Sequence, residues 1–421
     1  MQDLIKIINP KDYRIMAGPD WPAIREIAQG NHGPTEFIQN EIREFIADQI
    51  YKYEQYHLKP ADTLAQENQQ RQAQVFYNKQ ASNIIGCTVP WNTMGVNTRG
   101  DVYICQSPSW VPKCVGNIQE TTDIYTVLNS ITARQIRAEI LAGSYYYCNN
   151  RICGHFSQIN PGRYNSTVEA DSYVPITQVD DSRYQVKQIP KHLIFDFDYT
   201  CNLACPSCRT QIINWNKDPV QRPTNDSIAT KIKQLIVDQI TTETIDIRWC
   251  GGELFISDVY LDLIDYIVSK NNSQIKHIIQ TNGSYLHKNI DLLTRLLPTV
   301  TELRISFDAA DPATYAMVRC HGQWQQLLDN VRLVRKLIDN NQFETRLVAD
   351  FVVQLDNYKE IPAFVELAKN LGIDNINFQK MWNWGTTSQA EFESNNVYNP
   401  DHPEYELLKE QFRLAGRQIK Y

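Results

Sequence analysis

From residue 191 onward the chain alternates short apolar runs with longer amphipathic ones, and this alternation restricts the fold more than any other feature. The runs HLIFDFDY, ETIDIRWC, IKHIIQT, ELRISFDA, RLVADFVV and DNINFQKM read as strands, rich in β-branched and aromatic residues. Between them lie ATKIKQLIVDQI, VYLDLIDYIVSK, KNIDLLTRLL, WQQLLDNVRLVRKLI and EIPAFVELAKNL, whose apolar residues recur at helical spacing. Six strand and helix units in strict alternation specify an α/β fold with a parallel sheet and right-handed crossovers. In barrel-like folds of this kind ligands sit at the C-terminal ends of the strands.

The first strand leads directly into CNLACPSC, which sets Cys201, Cys205 and Cys208 in a C-x3-C-x2-C spacing. Three thiolates on one short loop suit three corners of an iron–sulfur cluster, leaving the fourth iron with no protein ligand nearby. The rival reading is a zinc knuckle or a chance group of structural cysteines. Zinc wants a fourth Cys or His just downstream, and before His277 only Cys250 follows.

This spacing resembles the signature of the radical S-adenosylmethionine (SAM) superfamily. The resemblance implies a partial (β/α)6 barrel whose [4Fe-4S] cluster presents its unique iron to the amino and carboxylate groups of SAM. It further implies reductive cleavage of SAM to a 5'-deoxyadenosyl radical that abstracts a substrate hydrogen. Gly251-Gly252-Glu253, after the second strand, resembles the motif that receives the SAM amino group. Glycines let backbone approach a ligand closely, and a carboxylate accepts from an ammonium. Thr281-Asn282-Gly283 closes the third strand, where the resembling enzymes carry a cofactor-side element; alone it reads as an Asn-Gly turn. Ser306 and Asp308 end the fourth strand and Arg319 follows in TYAMVRCHG. The resemblance assigns such a serine and arginine to the SAM carboxylate and ribose, and guanidinium suits carboxylate bidentately. Two positions depart from the pattern. Ser207 stands where an aromatic residue often packs near adenine, and Cys250 where a hydroxyl or small residue commonly precedes the glycines. Cys320 and His321 are read as helix neighbours that do not face each other, hence structural.

A second group of cysteines lies upstream. Cys87, Gly100 and Cys105 follow a C-x12-G-x4-C spacing around the turn Thr98-Arg99-Gly100-Asp101, which reads as a hairpin placing both cysteines on neighbouring strands. The dipeptide Gly116-Asn117, a helix over TVLNSITARQIRAEILAG with Arg137, and the pair Cys148 and Cys153 come next. The set resembles SPASM and Twitch modules, which bind auxiliary iron–sulfur clusters, although here the module precedes the SAM domain. The resemblance assigns Cys87, Cys105, Cys148 and Cys153 as ligands of one auxiliary [4Fe-4S] cluster, with Cys114 left over as a buried thiol. The alternative is a four-cysteine zinc ribbon.

The expected organisation is an N-terminal helical region over 1–80, a small α+β auxiliary-cluster domain over 81–160, a linker over 161–190, the barrel over 191–385 and a tail over 386–421. After the sixth strand, Trp382, Trp384 and His402 either meet substrate or pack on the module. A net charge of -7 gives no electrostatic case for broad nucleic-acid binding. No apolar run reaches the length of a membrane span, and the N-terminus lacks signal-peptide zones, so a cytoplasmic location is expected. Ten cysteines in such a chain point to cluster ligation rather than disulfides.

The functional expectation is a radical SAM enzyme that modifies a peptide or protein, as in maturation of ribosomally made peptides by backbone excision, crosslinking or epimerisation. Expected partners are the peptide, a separate leader-recognition protein, and a reductant such as flavodoxin or ferredoxin. The alternatives are a radical SAM dehydrogenase of a small molecule and a non-catalytic, zinc-containing peptide-binding module.

Overall fold

The computed structural model describes residues 87–417 apart from 109, 112, 142–146, 148–181, 242 and 383–385. The expected helices in residues 1–80, Cys148, Cys153, Trp384 and most of the expected linker lie outside the described residues. The chain divides into two units, which within the described residues comprise 87–197 with 230–245, and 198–229 with 246–417.

In the first unit a one-turn helix α1 (Val89–Asn92) leads into β1 (Thr93–Asn97), which pairs antiparallel with β2 (Asp101–Tyr103) across the expected hairpin. Gly100 holds the turn at φ +81, a conformation that other residues adopt only with strain. β2 then pairs with the two-residue β3 (Gly116–Asn117), whose Asn117 side chain reaches the Arg99 carbonyl and the Asp101 carboxylate. Two expectations are corrected here. Cys87 precedes α1 and Cys105 follows β2, so the two cysteines flank the hairpin rather than lying on its strands. The single expected helix is also two, α2 (Ile124–Leu128) and α3 (Ile131–Leu141). It breaks because the Asn129 side chain is taken by the Val186 backbone, at 2.9 and 2.8 Å, while Ser130 Oγ accepts from Ala133 N to start the next helix.

The hairpin does not form a sheet of its own. β1 runs parallel to β4 (His192–Asp196), the first strand of the alternating region, in register from Thr93 opposite His192 to Asn97 opposite Asp196. The strand order in this unit is β3-β2-β1-β4. Behind it Arg137 is fully buried, donating to the carbonyls of Pro90 (3.0 Å), Leu128 (2.8 Å) and Tyr184 (2.8 Å). Burial lowers its pKa to about 10, so it remains a cation at neutral pH.

Between β4 and β5 (Ile245–Trp249) lies α4 (Gln221–Leu235). The second unit continues with α5 (Asp258–Ser269), β6 (Ile275–Thr281), α6 (Ile290–Leu296), β7 (Val300–Ser306), α7 (Pro312–Val318), α8 (Trp324–Asn341), β8 (Arg346–Val353), α9 (Ile361–Asn370), β9 (Asn375–Lys380), α10 (Gln389–Asn395) and α11 (Tyr405–Leu414). All six expected strands are present, and β6, β7, β8 and β9 pair parallel in sequence order. Alternation along each strand sorts the faces. Ile245, Ile247, Trp249, Ile275, Ile279, Leu303 and Ile305 are buried, as are Leu327, Val331, Val334 and Ile338 at helical spacing on α8. The opposite face is polar: Arg248, Gln280, Arg304, Asn377 and Gln379, with Ile278, line a cavity of about 260 Å³. In a flat sheet of order β5-β6-β7-β8-β9 the outer strands would stand about 19 Å apart, four steps of about 4.8 Å. A single cavity this small touches both β5 and β9 only because the sheet curls, as a partial barrel does. Among the described residues no helix is long and apolar enough to cross a membrane.

Removing the Arg137 guanidinium would leave three buried carbonyls without a donor. Arg137→Met is expected to lower stability by about 3 kcal/mol, read as a lower urea midpoint of the apo protein; an unchanged midpoint would show that this cation does not tie the unit together.

Candidate active site

The cysteine loop leaves β4 and is closed on itself by the pair Cys201 N to Ile213 O (2.8 Å) and Ile213 N to Cys201 O (3.2 Å). A tight turn follows, in which Cys208 N and Arg209 N both donate to Cys205 O at 2.9 Å. This places Cys201 and Cys205 in buried positions and Cys208 in an exposed one. Burial pushes the Cys201 thiol up to about 11 and the Cys205 thiol upward as well, Arg319 opposing the shift at Cys205. Thiolates at these sites therefore need cationic partners or a metal.

The loop is bonded to the end of β5. Gly252 N donates to Asp198 O (2.8 Å) and Glu253 N to Thr200 O (2.7 Å). Tyr260 Oη accepts from Asp198 N (3.0 Å) and donates to Cys250 O (3.1 Å), while Ser257 Oγ donates to Asp198 Oδ2 at 2.7 Å. A Cβ on Gly252 would lie 2.1 Å from the Thr200 carbonyl oxygen, and Gly251 stands at φ +98. Only glycine allows this approach.

Glu253, Thr281 and Asn282 form one buried cluster. Glu253 Oε1 accepts from Thr281 Oγ1 (2.6 Å) and Phe255 N (3.2 Å), and Oε2 accepts from Asn282 N (2.6 Å). A carboxylate has about four acceptor positions, so roughly one remains for a ligand. Burial holds the Glu253 carboxyl above its usual range, against these donors. Asn282 in turn directs its amide at Cys201 Sγ (3.8 Å) and Asn202 Oδ1 (3.0 Å), which makes the Asn-Gly element a strut as well as a turn.

Ser306 is buried at the end of β7, and Asp308 follows at φ +59. Arg319 caps the C-terminal end of α7 and is no solvated helix charge. Its Nη2 lies 2.6 Å from Asp308 Oδ2, its Nη1 donates to Cys205 Sγ at 3.6 Å, and its Nε is buried without a partner. Burial opposes the Arg319 charge, but Asp308 and Cys205 outweigh it; burial likewise pushes Asp308 up against the pull of Arg319. Cys320 and His321 lie beyond the helix end, where the Cys320 carbonyl accepts from Ala204 N (3.2 Å) and so fastens the cysteine loop. Arg209 was not singled out in the sequence. Its guanidinium donates to Tyr199 O (2.9 Å), Gly251 O (3.3 Å) and Cys208 Sγ (3.5 Å), joining loop and glycine motif.

Each of the three sulfurs thus faces an N–H donor, two of them guanidinium groups. That donor set fits an anionic cluster held by three thiolates, and hydrogen bonds to sulfur are a principal control on such clusters. Among the described residues no three His, Cys, Asp or Glu side chains converge as ligands of a single metal ion. A four-iron cluster asks for a wider set, since each thiolate binds a different iron. The orphaned Arg319 Nε and the remaining acceptor on Glu253 fit an amino acid headgroup with a carboxylate and an ammonium. In the first unit Cys87 is half-buried and Cys105 buried, and burial with the nearby Asp101 pushes the Cys114 thiol up to about 11.

Comparison with known proteins agrees with both halves of this description. Residues 197–377 match the family model of the radical SAM superfamily, and residues 87–154 match that of SPASM, an iron–sulfur cluster-binding domain. No curated protein matches the chain. Among solved structures, Streptococcus suis SuiB bound to S-adenosylmethionine is 14% identical, over 46% of this chain and 41% of that one, at a TM-score of 0.32. SuiB bound to the precursor peptide SuiA is 15% identical over 62% and 55%, at 0.35, and native anSMEcpe with bound AdoMet is 13% identical over 54% and 62%, also at 0.35. The chain spans less than two thirds of each of these proteins. By these two matches the chain carries a radical SAM domain over 197–377, preceded by a SPASM domain over 87–154.

Proposed function

We propose that the chain is a radical SAM enzyme that modifies a peptide or protein. The observation that carries this reading is the convergence of three donor-faced cysteines with Gly251, Gly252, Glu253 and the unsatisfied Arg319 Nε. Cys201, Cys205 and Cys208 would hold the [4Fe-4S] cluster, and Cys87, Cys105, Cys148 and Cys153 the auxiliary one. When bound, the cluster and SAM supply one-electron reduction and a radical that removes a hydrogen atom from the substrate.

The protein's own part is to bind and orient. Asn282, Arg319 and Arg209 stabilise negative charge on the three sulfurs by donating to them. Arg319 offers its free Nε to the SAM carboxylate, and Glu253 its remaining acceptor position to the SAM ammonium. Gly251 and Gly252 let the cysteine loop pack against the end of β5 and so set Glu253 beside the headgroup, while Ser306 and Thr281 complete the strand-end rim. A peptide as substrate is supported by the pairing of SAM and SPASM domains. An auxiliary cluster held there would suit peptide chemistry, since it could take up the electron left after hydrogen abstraction. Backbone excision, crosslinking and epimerisation are the reactions of this kind, with a leader-recognition protein and a flavodoxin or ferredoxin reductant as partners.

Anaerobic reconstitution tests the reading. The parent is expected to bind about eight irons, and a Cys201→Ala, Cys205→Ala, Cys208→Ala variant about half as many with no SAM cleavage. A variant that retains all its iron, or a parent that cleaves no SAM, would overturn it. Arg319→Lys keeps the charge but not the fork that reaches Asp308, Cys205 and a carboxylate together. It is expected to raise the SAM concentration for half-maximal cleavage about tenfold at unchanged iron content.

A further inference from the structure

The cavity on the concave face of the second unit is not used by the SAM-binding residues, yet it lies beside them. Arg248 precedes Gly251 by three residues, Gln280 precedes Thr281 by one and Arg304 precedes Ser306 by two. At about 3.3 Å per residue along a strand, its lining stands one to three steps below the proposed SAM rim.

Its charges are unequally matched. Arg304 is bonded to Asp350 at 2.6 and 3.1 Å and to Glu302 at 3.1 Å. Asp350, almost wholly buried, also accepts from Asn377 Nδ2 (2.8 Å) and Gln379 Nε2 (2.9 Å), and Glu302 accepts from Arg346 at 2.7 Å. The internal charges are therefore used on one another. Arg248 is different: among the described residues it makes no hydrogen bond or ion pair, although it lines the cavity. Asn377 Nδ2 and Gln379 Nε2 each give one N–H to Asp350, which orients both amides and leaves their carbonyl oxygens as acceptors on the far wall.

A cation at one wall and amide acceptors at the other fit a residue that carries a carboxylate and backbone N–H groups. We infer that this cavity is a substrate subsite in which Arg248 binds a peptide carboxylate, from an Asp or Glu side chain or from the C-terminus. The inference rests on the peptide-modifying reading above and narrows its substrate class to acidic sites. Arg248 acts as a specificity-determining residue; Arg304, held by Asp350 and Glu302, shapes the wall.

Three short peptides test it on the reconstituted enzyme with SAM, by ligand-observed NMR: acetyl-Ala-Glu-Ala-amide, acetyl-Ala-Gln-Ala-amide, and acetyl-Ala-Ala-Ala with a free C-terminus. At least one carboxylate-bearing peptide is expected to bind about tenfold more tightly than the glutamine peptide, and which one does so identifies the source of the carboxylate. Arg248→Gln is expected to remove that preference and Arg248→Lys to retain most of it, with unchanged iron content and melting temperature showing that both fold. Equal binding of all three peptides, or a preference that survives Arg248→Gln, would overturn the subsite. SAM cleavage by the parent is read separately. If cleavage fails while the carboxylate preference holds, the enzymatic reading falls and the subsite stands.

Discussion

Two backbone hydrogen bonds, Gly252 N to Asp198 O and Glu253 N to Thr200 O, decide where everything else in the site goes. They hold the approach to the cysteine loop against the end of β5, so that the cysteine motif and the glycine motif are fastened together. The contact exists only because residue 252 has no Cβ, which would otherwise lie 2.1 Å from a carbonyl oxygen. A hydrogen bond of this kind is worth only about 1 kcal/mol. Position rather than energy is what it secures, and Tyr260, Ser257 and Arg209 brace the same junction.

Onto that junction the fold adds polar groups from three strand ends, two of them charged. Glu253, from the β5 end, orders Thr281 and Asn282 at the β6 end, and Asn282 reaches back to Cys201. Asp308, beyond β7, steers Arg319 to Cys205. The cationic arginines oppose the burial that would keep the thiols protonated, which is what a site for anionic ligands requires. The first unit shows a related economy of construction, since its hairpin lengthens the sheet at β4 and one buried arginine holds three chain segments around it.

Much of this was legible beforehand, because periodicity and motif spacing are local signals. The six strands follow from alternation that one apolar face and one polar face impose, and the cysteine, glycine and Asn-Gly motifs fall at strand ends because that is where loops begin. What escaped was contact between distant residues. Arg209 is an arginine in a loop, and nothing in its neighbourhood signals that it meets Tyr199 and Gly251. The link from Arg319 to Asp308 depends on a left-handed aspartate, a conformation Asp tolerates but nothing in the local pattern announces. The break between α2 and α3 had a visible sign in Asn129-Ser130, a pair that favours helix ends, but its partner Val186 is far along the chain. The Cys320 and His321 pair looked helical because the turn at His321, with φ +72, comes only after the helix has already ended.

The central claim is that Cys201, Cys205 and Cys208 would hold a four-iron cluster able to bind SAM, with Arg319 and Glu253 beside it. Its most direct test is electron paramagnetic resonance of the reduced, reconstituted protein, recorded before and after SAM is added. The account predicts that one cluster signal changes its g values on addition while a second, from the auxiliary domain, stays as it was. Identical spectra with and without SAM would contradict it.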